Sequence, residues 1–487
     1  MAERGNDSDD ARPARTADAP WHLPGLGEPP REEMYEGLTR AGARFRTPRM
    51  LAAEAAAVAR CVREAALTAR QERSIEQVVR AVSTAALRLA DPDDPIGRCA
   101  AATLGWELGW SDELVAETLA AMSGVWSEDA LHRLIASEIG DPSVLDRFSV
   151  DEPAASGFPP VLHGRARRAS GPPLLMIVHA GNVPGVAVTA CIRGLLARSG
   201  VLSRASADGP SLPALFAAAL AEADPTLGDT VATTWWPSDG DAPARDAWVE
   251  RAGKLVVYGG ADAVRAFRTR TPADRQVISY GPRTGVGVVF SDGVSEQAAR
   301  GLAQDVCAYE QMGCVSPRLV WVLGDATAFG HMLAEALAAE VARVRRPAIT
   351  ASEAVEIRRA RATAEFRSDA SPEPSGAAVL GPRDLAWTVT IGDMAPAEVE
   401  SLPRFVPLIP VADSGELRSR LEPLEGLIQA LGYAGTEGLD TTAELAAELG
   451  ISRVAPFGRV AWPPADWRHD GGFQLLPLLD WTDLERP

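Results

Sequence analysis

Two hydrophobic rhythms divide this chain. From residue 21 to about 150 apolar positions recur at helical spacing, and from about 171 short apolar runs alternate with helix-length segments. In the first part, residues 51–67 are alanine-rich and predict a helix. Ser127 is positioned to cap another, with Glu128 and Asp129 in its first turn. Leu131, Leu134, Ile135 and Ile139 make its apolar face, and Gly140 and Pro142 close it. Trp106, Trp110 and Trp126 read as packing residues.

In the second part, strands are expected over 174–178, 201–204, 230–235, 254–258, 277–280 and 286–290. Helices are expected over 186–198 and 212–223, and from Ala261 onward. A helix over 295–309 then leads to Gln311-Met312-Gly313-Cys314-Val315-Ser316-Pro317, followed by a strand at 319–323 and a long helix over 326–344. Residues 368–382, rich in Ser, Pro and Gly, read as a loop. Thr441 and Glu444 have capping-box spacing ahead of a helix stopping at Gly450. Strands alternating with helices predict an α/β fold of doubly wound parallel sheets, which bind ligands at the carboxyl ends of their strands.

Composition narrows the function. A 487-residue chain is too long for one ordinary core. Its net charge of −18 argues against nucleic acid or an anionic membrane as the main partner. No apolar run reaches the roughly 18 residues of a membrane span, and residues 1–20 read as a disordered polar tail without a signal core. Cys61, Cys99, Cys191, Cys307 and Cys314 are scattered and odd in number, so neither a disulfide framework nor a metal site is indicated, and a cytoplasmic location is expected. Lys254 is the only lysine, so arginine is expected to take lysine's place at functional positions.

Cys314 is the candidate nucleophile, placed in a glycine-containing turn between helix and strand. Upstream, Ala180-Gly181-Asn182-Val183-Pro184-Gly185 follows a strand. Asn182 can donate to an oxyanion, and Gly181 lets backbone approach a ligand. Gly259 and Gly260 lie between a strand and a helix, a position suited to a cofactor phosphate. The run Gly281 to Gly287 leads into a strand and points to a close backbone approach. Arg204, ending a strand, and Ser206 after it are candidates for a nucleotide's ribose phosphate. His469 is either a structural histidine or a site residue, with the structural reading preferred. The other four cysteines read as small buried hydrophobes.

Taken together, these segments resemble the acyl-CoA reductases of the bacterial luminescence type, in the aldehyde dehydrogenase superfamily. The matching pieces are Ala180 to Gly185, Arg193-Gly-Leu-Leu196, Trp236-Pro237, Tyr258-Gly-Gly260, Gln311 to Pro317, Leu402-Pro-Arg-Phe405 and His469-Asp-Gly471. The resemblance implies an aldehyde dehydrogenase-like fold and NADPH-dependent reduction of a fatty acyl thioester to an aldehyde. Cys314 would accept the acyl group, with Asn182 and the Cys314 N–H as oxyanion hole. Arg204, Ser206, Gly181, Gly259 and Gly260 would hold the cofactor. Where hydrolytic relatives carry a glutamate base, this chain has about Tyr280-Gly281; Pro403 stands near the superfamily's ribose-binding glutamate. Missing the base fits an enzyme that leaves its acyl-cysteine for hydride rather than water.

The expected organisation is a tail (1–20), a helical N-terminal region (21–150), an NADP-binding Rossmann-like domain (151–292), a catalytic domain with Cys314 (293–424), and a C-terminal segment (425–487). That last segment is expected to return to the cofactor domain and form an oligomerisation arm. Expected partners are acyl-CoA or a carrier-bound acyl thioester, an acyl-activating synthetase or carrier protein, and further copies of the chain. Two other functions fit the same residues: an acyltransferase that uses the cysteine without reduction, and a non-catalytic partner subunit.

Overall fold

Residues 16–27, 33–150, 166–238, 242–347, 349–370, 378–393 and 402–485 are described by the computed structural model. The tail expected over 1–20 lies outside the described residues up to residue 15, and three strands follow: β1 (Thr16–Asp18), β2 (Met34–Leu38) and β3 (Arg44–Pro48). They form a small sheet in the order β1-β3-β2. The region expected to be helical therefore begins with β-structure. This sheet is docked sideways: the Thr47 hydroxyl donates to the Trp235 carbonyl and Phe45 packs edge-on against Trp235 at 4.9 Å.

Five helices follow, over Ala52–Glu72, Ile75–Arg88, Pro95–Leu108, Asp112–Trp126 and Glu128–Glu138. Their starts obey capping chemistry. Ser74 and Gln77 form a reciprocal capping box, and Ser127 accepts from the Ala130 N–H as its sequence position predicts. Trp126 is fully buried, its indole donating to the Thr189 hydroxyl at 2.9 Å.

After β4 (Ser149–Val150) and β5 (Ala166–Ser170) comes the first large sheet: β6 (Leu174–Val178), β7 (Gly200–Arg204), β8 (Val231–Thr234), β9 (Lys254–Tyr258) and β10 (Gln276–Tyr280). All its pairings are parallel, in the order β10-β9-β6-β7-β8. Every residue of β6 and β9 is buried, as central strands covered by helices on both faces must be. Register sets Tyr280 beside Tyr258 at the carboxyl ends.

A second sheet contains β11 (Thr284–Val289), β12 (Pro317–Val322), β13 (Ala378–Leu380), β14 (Thr388–Ile391), β15 (Phe405–Pro410), β16 (Ile428–Ala434) and β17 (Val454–Pro456). Its order is β13-β14-β15-β12-β11-β16-β17, parallel except for β13. This corrects two expected boundaries. β11 lies before residue 292 yet pairs with β12 and β16, so the change of sheet falls in the short link after Tyr280. β16 and β17 lie after residue 425 yet complete the Cys314-bearing sheet. Only the end of the chain returns: β18 (Asp480–Leu484) pairs antiparallel with β5, which also pairs with β4.

Two local expectations also change. A helix occupies Ala351–Ala370, where part of a loop was expected; residues 371–377 lie outside the described residues. The helix near Thr441 opens earlier, at Leu439, after Gly438 in the left-handed region, so Thr441 and Glu444 are interior residues. Among the described residues no helix is long and apolar enough to cross a membrane.

The lone lysine is structural. Lys254 Nζ donates to the carbonyls of Pro477 and Leu479 at 3.2 and 3.0 Å and pairs with Asp480 at 2.9 Å, tying β9 to the returning segment. Lys254→Met would leave these carbonyls without a donor, at about 1–3 kcal/mol. We expect a lower denaturant midpoint and faster proteolysis near residues 476–485; an unchanged midpoint and cleavage pattern would show that the tie contributes nothing.

Candidate active site

The turn carrying Cys314 departs from ordinary backbone geometry. The helix Glu296–Cys307 ends, and Tyr309, Glu310 and Gln311 follow with φ of 52°, 53° and 59°. Three consecutive non-glycine residues in the left-handed region are disfavoured by about 1–2 kcal/mol each. The expected helix over 295–309 stops short because side-chain contacts outweigh this cost. Glu310 forms a buried ion pair with Arg404, and Arg346 lies 3.7 Å from it. The Gln311 amide donates to the Pro317 and Phe405 carbonyls at 2.7 and 3.0 Å, and its oxygen accepts from the Phe405 N–H at 2.8 Å. Arg404 and Phe405, from the Leu402-Pro-Arg-Phe405 segment, thus clamp the turn.

The turn also rests on β11. A Cβ added to Gly285 would lie 2.1 Å from the Val315 carbonyl oxygen, so the strand can pass beneath the cysteine turn only with glycine there. This is the close approach expected of the Gly281 to Gly287 run.

Two cavities meet at Cys314. The first, of about 490 Å³, is lined by Gly181, Asn182, Gly259, Gly260, Tyr280 and Gly281 among others. The second, of about 540 Å³, has mainly apolar walls that include Met122, Val125, Trp462 and Trp467. Cys314, Val183, Val186, Tyr258 and His469 line both. Each volume suits a small-molecule site.

The structure brings Asn182 and Cys314 together. Asn182 Nδ2 donates to the Met312 carbonyl at 3.1 Å, which leaves its second N–H for another acceptor. Burial, with the Asp470 carboxylate adding to it, pushes the Cys314 thiol up to about 11 against the opposing pull of nearby backbone N–H groups and Arg318. Gly181 is packed against Ser206: an added Cβ would lie 2.4 Å from its hydroxyl. Gly259 and Gly260 sit as expected, before the helix Ala261–Arg270.

Arg204 and Ser206 are not in either cavity wall. The Arg204 guanidinium donates to the Trp236 carbonyl at 2.8 Å and the Ser238 hydroxyl at 3.2 Å, at the carboxyl end of β7. No carboxylate among the described residues pairs with it, and burial lowers it to about 10. Cys191 and Cys307 are buried, their thiols pushed up to about 12, consistent with packing roles.

His469, which the sequence leaves as either a structural or a site residue, lies beside the cysteine. Its Nε2 lies 3.9 Å from Cys314 Sγ, and its ring packs edge-on against Tyr280 and Trp467 at 4.8 and 5.0 Å. Tyr258 and Tyr280 stack at 4.7 Å beside it. Burial, with Arg193 and Arg283 nearby, lowers the imidazole to about 3, so it is neutral at physiological pH. The available signal was the His469-Asp-Gly471 segment itself, but periodicity does not say which side chain a turn points inward. Trp110, expected to be a packing residue, also faces the first cavity.

Comparison with known proteins agrees with this architecture. A family model described as acyl-CoA reductase (LuxC) matches residues 70–481. A long-chain acyl-protein thioester reductase of Vibrio harveyi is 28% identical over 202 residues, 41% of this chain and 40% of that protein. One of Aliivibrio fischeri is 25% identical over 228 residues, 45% and 44% of the two chains. The chain thus matches less than half the length of these curated relatives. Among solved structures, an NAD-dependent aldehyde dehydrogenase from Sinorhizobium meliloti superposes with a TM-score of 0.73 at 14% identity, covering 96% of this chain and 95% of that one. An NAD-dependent benzaldehyde dehydrogenase from Corynebacterium glutamicum gives 0.69 at 12% identity, covering 96% and 98%. The fold is therefore that of the aldehyde dehydrogenases.

Two predictions follow from this geometry. Arg404→Leu removes the hydrogen-bonded partner of the buried Glu310, leaving only Arg346 at 3.7 Å, and should cost about 3 kcal/mol in a denaturant titration; a loss below about 1 kcal/mol would show that the clamp does not hold the turn. A thiol near 11 is almost wholly protonated at pH 7, so iodoacetamide labelling of Cys314 in the ligand-free protein should rise about tenfold per pH unit up to that region. A plateau beginning near neutrality would contradict this.

Proposed function

The chain belongs to the LuxC family of acyl-CoA reductases, and we propose that it reduces a fatty acyl thioester to an aldehyde with NADPH. One observation carries this reading: Cys314 stands at the junction of a glycine-floored cleft and an apolar cavity, with an asparagine donor beside it. An acyl group in the second cavity would present its carbonyl to Sγ. Sγ attacks, the new C–S bond forms, and the donor thiol leaves. The free Asn182 N–H and the Cys314 backbone N–H take the oxyanion's charge.

The first cleft has the features a dinucleotide needs. Gly260 and Gly281 line it, and a Cβ at either would meet no atom within 4 Å, so its wall is bare backbone at both points. The helix opening at Ala261 offers unpaired N–H groups to a phosphate. Gly181, Gly259 and Gly260 would hold the cofactor backbone. Arg204, paired with no carboxylate among the described residues, would meet a 2′-phosphate, with Ser206 two positions on. The cofactor, when bound, supplies hydride to the acyl carbon. An acyl group so reduced would leave Cys314 as aldehyde, the C–Sγ bond breaking with its electron pair kept on Sγ as thiolate. No glutamate base stands at Tyr280-Gly281, where Tyr258, Tyr280 and His469 form an aromatic wall instead, so no carboxylate at that position assists water attack.

We assign the first large sheet to the cofactor and the second to the acylated cysteine. Acyl-CoA or a carrier-bound acyl group is the donor, and a synthetase or carrier protein is a fitting partner. The antiparallel β4-β5-β18 sheet is the element we assign to homo-oligomer contacts. All five cysteines are free, as in a reducing cytoplasm.

Loss of NADPH absorbance on mixing the protein with acyl-CoA tests this reading. Wild type should oxidise the cofactor, Cys314→Ala should not, and Asn182→Ala should lose about 10²–10³ in kcat. Absence of oxidation by wild type across chain lengths would refute it. Arg204→Ala should reduce the preference for NADPH over NADH by about ten- to a hundredfold, the effect of one charged hydrogen bond; an unchanged preference would remove Arg204 from the cofactor site.

A further inference from the structure

The chemistry proposed for Cys314 raises a question of protons. The resting thiol must lose a proton as it attacks, and an alkyl thiolate leaving group must gain one. The first cavity's carboxylates are otherwise engaged. Glu310 is held by Arg404 and Arg346, Glu353 by Arg40 and Thr350, and Asp208 accepts from the Arg40 N–H. Among the described residues, His469 is the one side chain within hydrogen-bond reach of Sγ, at 3.9 Å.

The surroundings of His469 favour one tautomer. Its Nδ1 is buried, makes no hydrogen bond and has the Asp470 carboxylate 3.4 Å away. A nearby carboxylate favours the proton on Nδ1, which leaves the Nε2 lone pair facing Sγ. Asp470 is itself anchored: Arg283 lies 3.4 Å from it, the Gln429 amide donates to it when its nitrogen faces the carboxylate, and its φ is 53°. An imidazolium formed at His469 would therefore have a fixed negative neighbour. His469 also lines both cavities, so a proton on Nε2 has access to a group arriving from either.

We propose that His469 is a catalytic residue, relaying the Cys314 proton to the departing thiol during acylation, with Asp470 as its positioning residue. The inference rests on the acyl-cysteine reading above. In balance, the Sγ–H bond breaks to Nε2 as the Sγ–C bond forms; the C–S bond of the donor then breaks, and Nε2–H protonates the leaving sulfur. Thiol plus thioester becomes thioester plus thiol, with no net redox change. After reduction the Cys314 thiolate regains a proton from solvent by the same imidazole.

The test compares two acyl donors in rapid-quench acylation of the full-length enzyme, without nicotinamide cofactor. One is tetradecanoyl-CoA, whose alkyl thiol needs a proton to leave. The other is the tetradecanoyl ester of 4-nitrothiophenol, whose aryl thiolate leaves without one. His469→Gln should slow acylation by CoA ester by about 10²–10⁴, and by aryl ester at least tenfold less. The ratio is read within one preparation, so a partly misfolded variant does not disturb it. Equal losses with both donors, or none, overturn the relay. If wild type is acylated by neither donor, the acyl-cysteine reading itself falls.

Discussion

The ion pair between Glu310 and Arg404 is the constraint on which the site depends. Three left-handed residues in a row, none of them glycine, are a conformation the chain does not adopt unaided. A buried carboxylate brings a further desolvation penalty, and burial does push the Glu310 carboxyl up, with Arg404 and Arg346 pulling it back. The pair and the Gln311 bonds to Phe405 outweigh both costs. They also fix the direction in which the chain leaves the helix Glu296–Cys307, and hence where Cys314 emerges between the two sheets. A helix continuing through Tyr309 would carry the thiol elsewhere.

From that placement the division of labour follows. The first sheet ends in glycines and bare backbone facing one cavity; apolar side chains face the other. The thiol reaches both because it stands on the turn that separates them. Its neighbours are aromatic rings and a neutral imidazole backed by the Asp470 carboxylate, and burial keeps the thiol protonated.

Much of this was legible in the sequence. The buried strands Leu174–Val178 and Lys254–Tyr258 were evident because fully covered parallel strands are continuous apolar runs. Cys314 and Asn182 were legible because each sits in a short glycine-containing turn at the end of an element. What escaped was non-local. β1 to β3 are polar strands stabilised by docking on Trp235, which no periodicity records. The reversal at Tyr309 lacks a glycine because a partner about 94 residues away enforces it, and that separation hides the cause. The sheet boundary after Tyr280 was missed because β10 and β11 are adjacent in sequence and alike in composition. Arg204 ends the strand expected, but its guanidinium swings to Trp236 and Ser238. The inward aim of His469 depends on the positive φ of Asp470.

The central claim is that Cys314 holds the acyl group and releases it to hydride rather than to water. The direct measurement is to expose the full-length protein to tetradecanoyl-CoA, map the modified peptide by mass spectrometry, then add NADPH and identify the product. One tetradecanoyl group should appear on the peptide containing Cys314 and leave as tetradecanal. An acyl group on another residue, or its release as free tetradecanoic acid, would contradict the account.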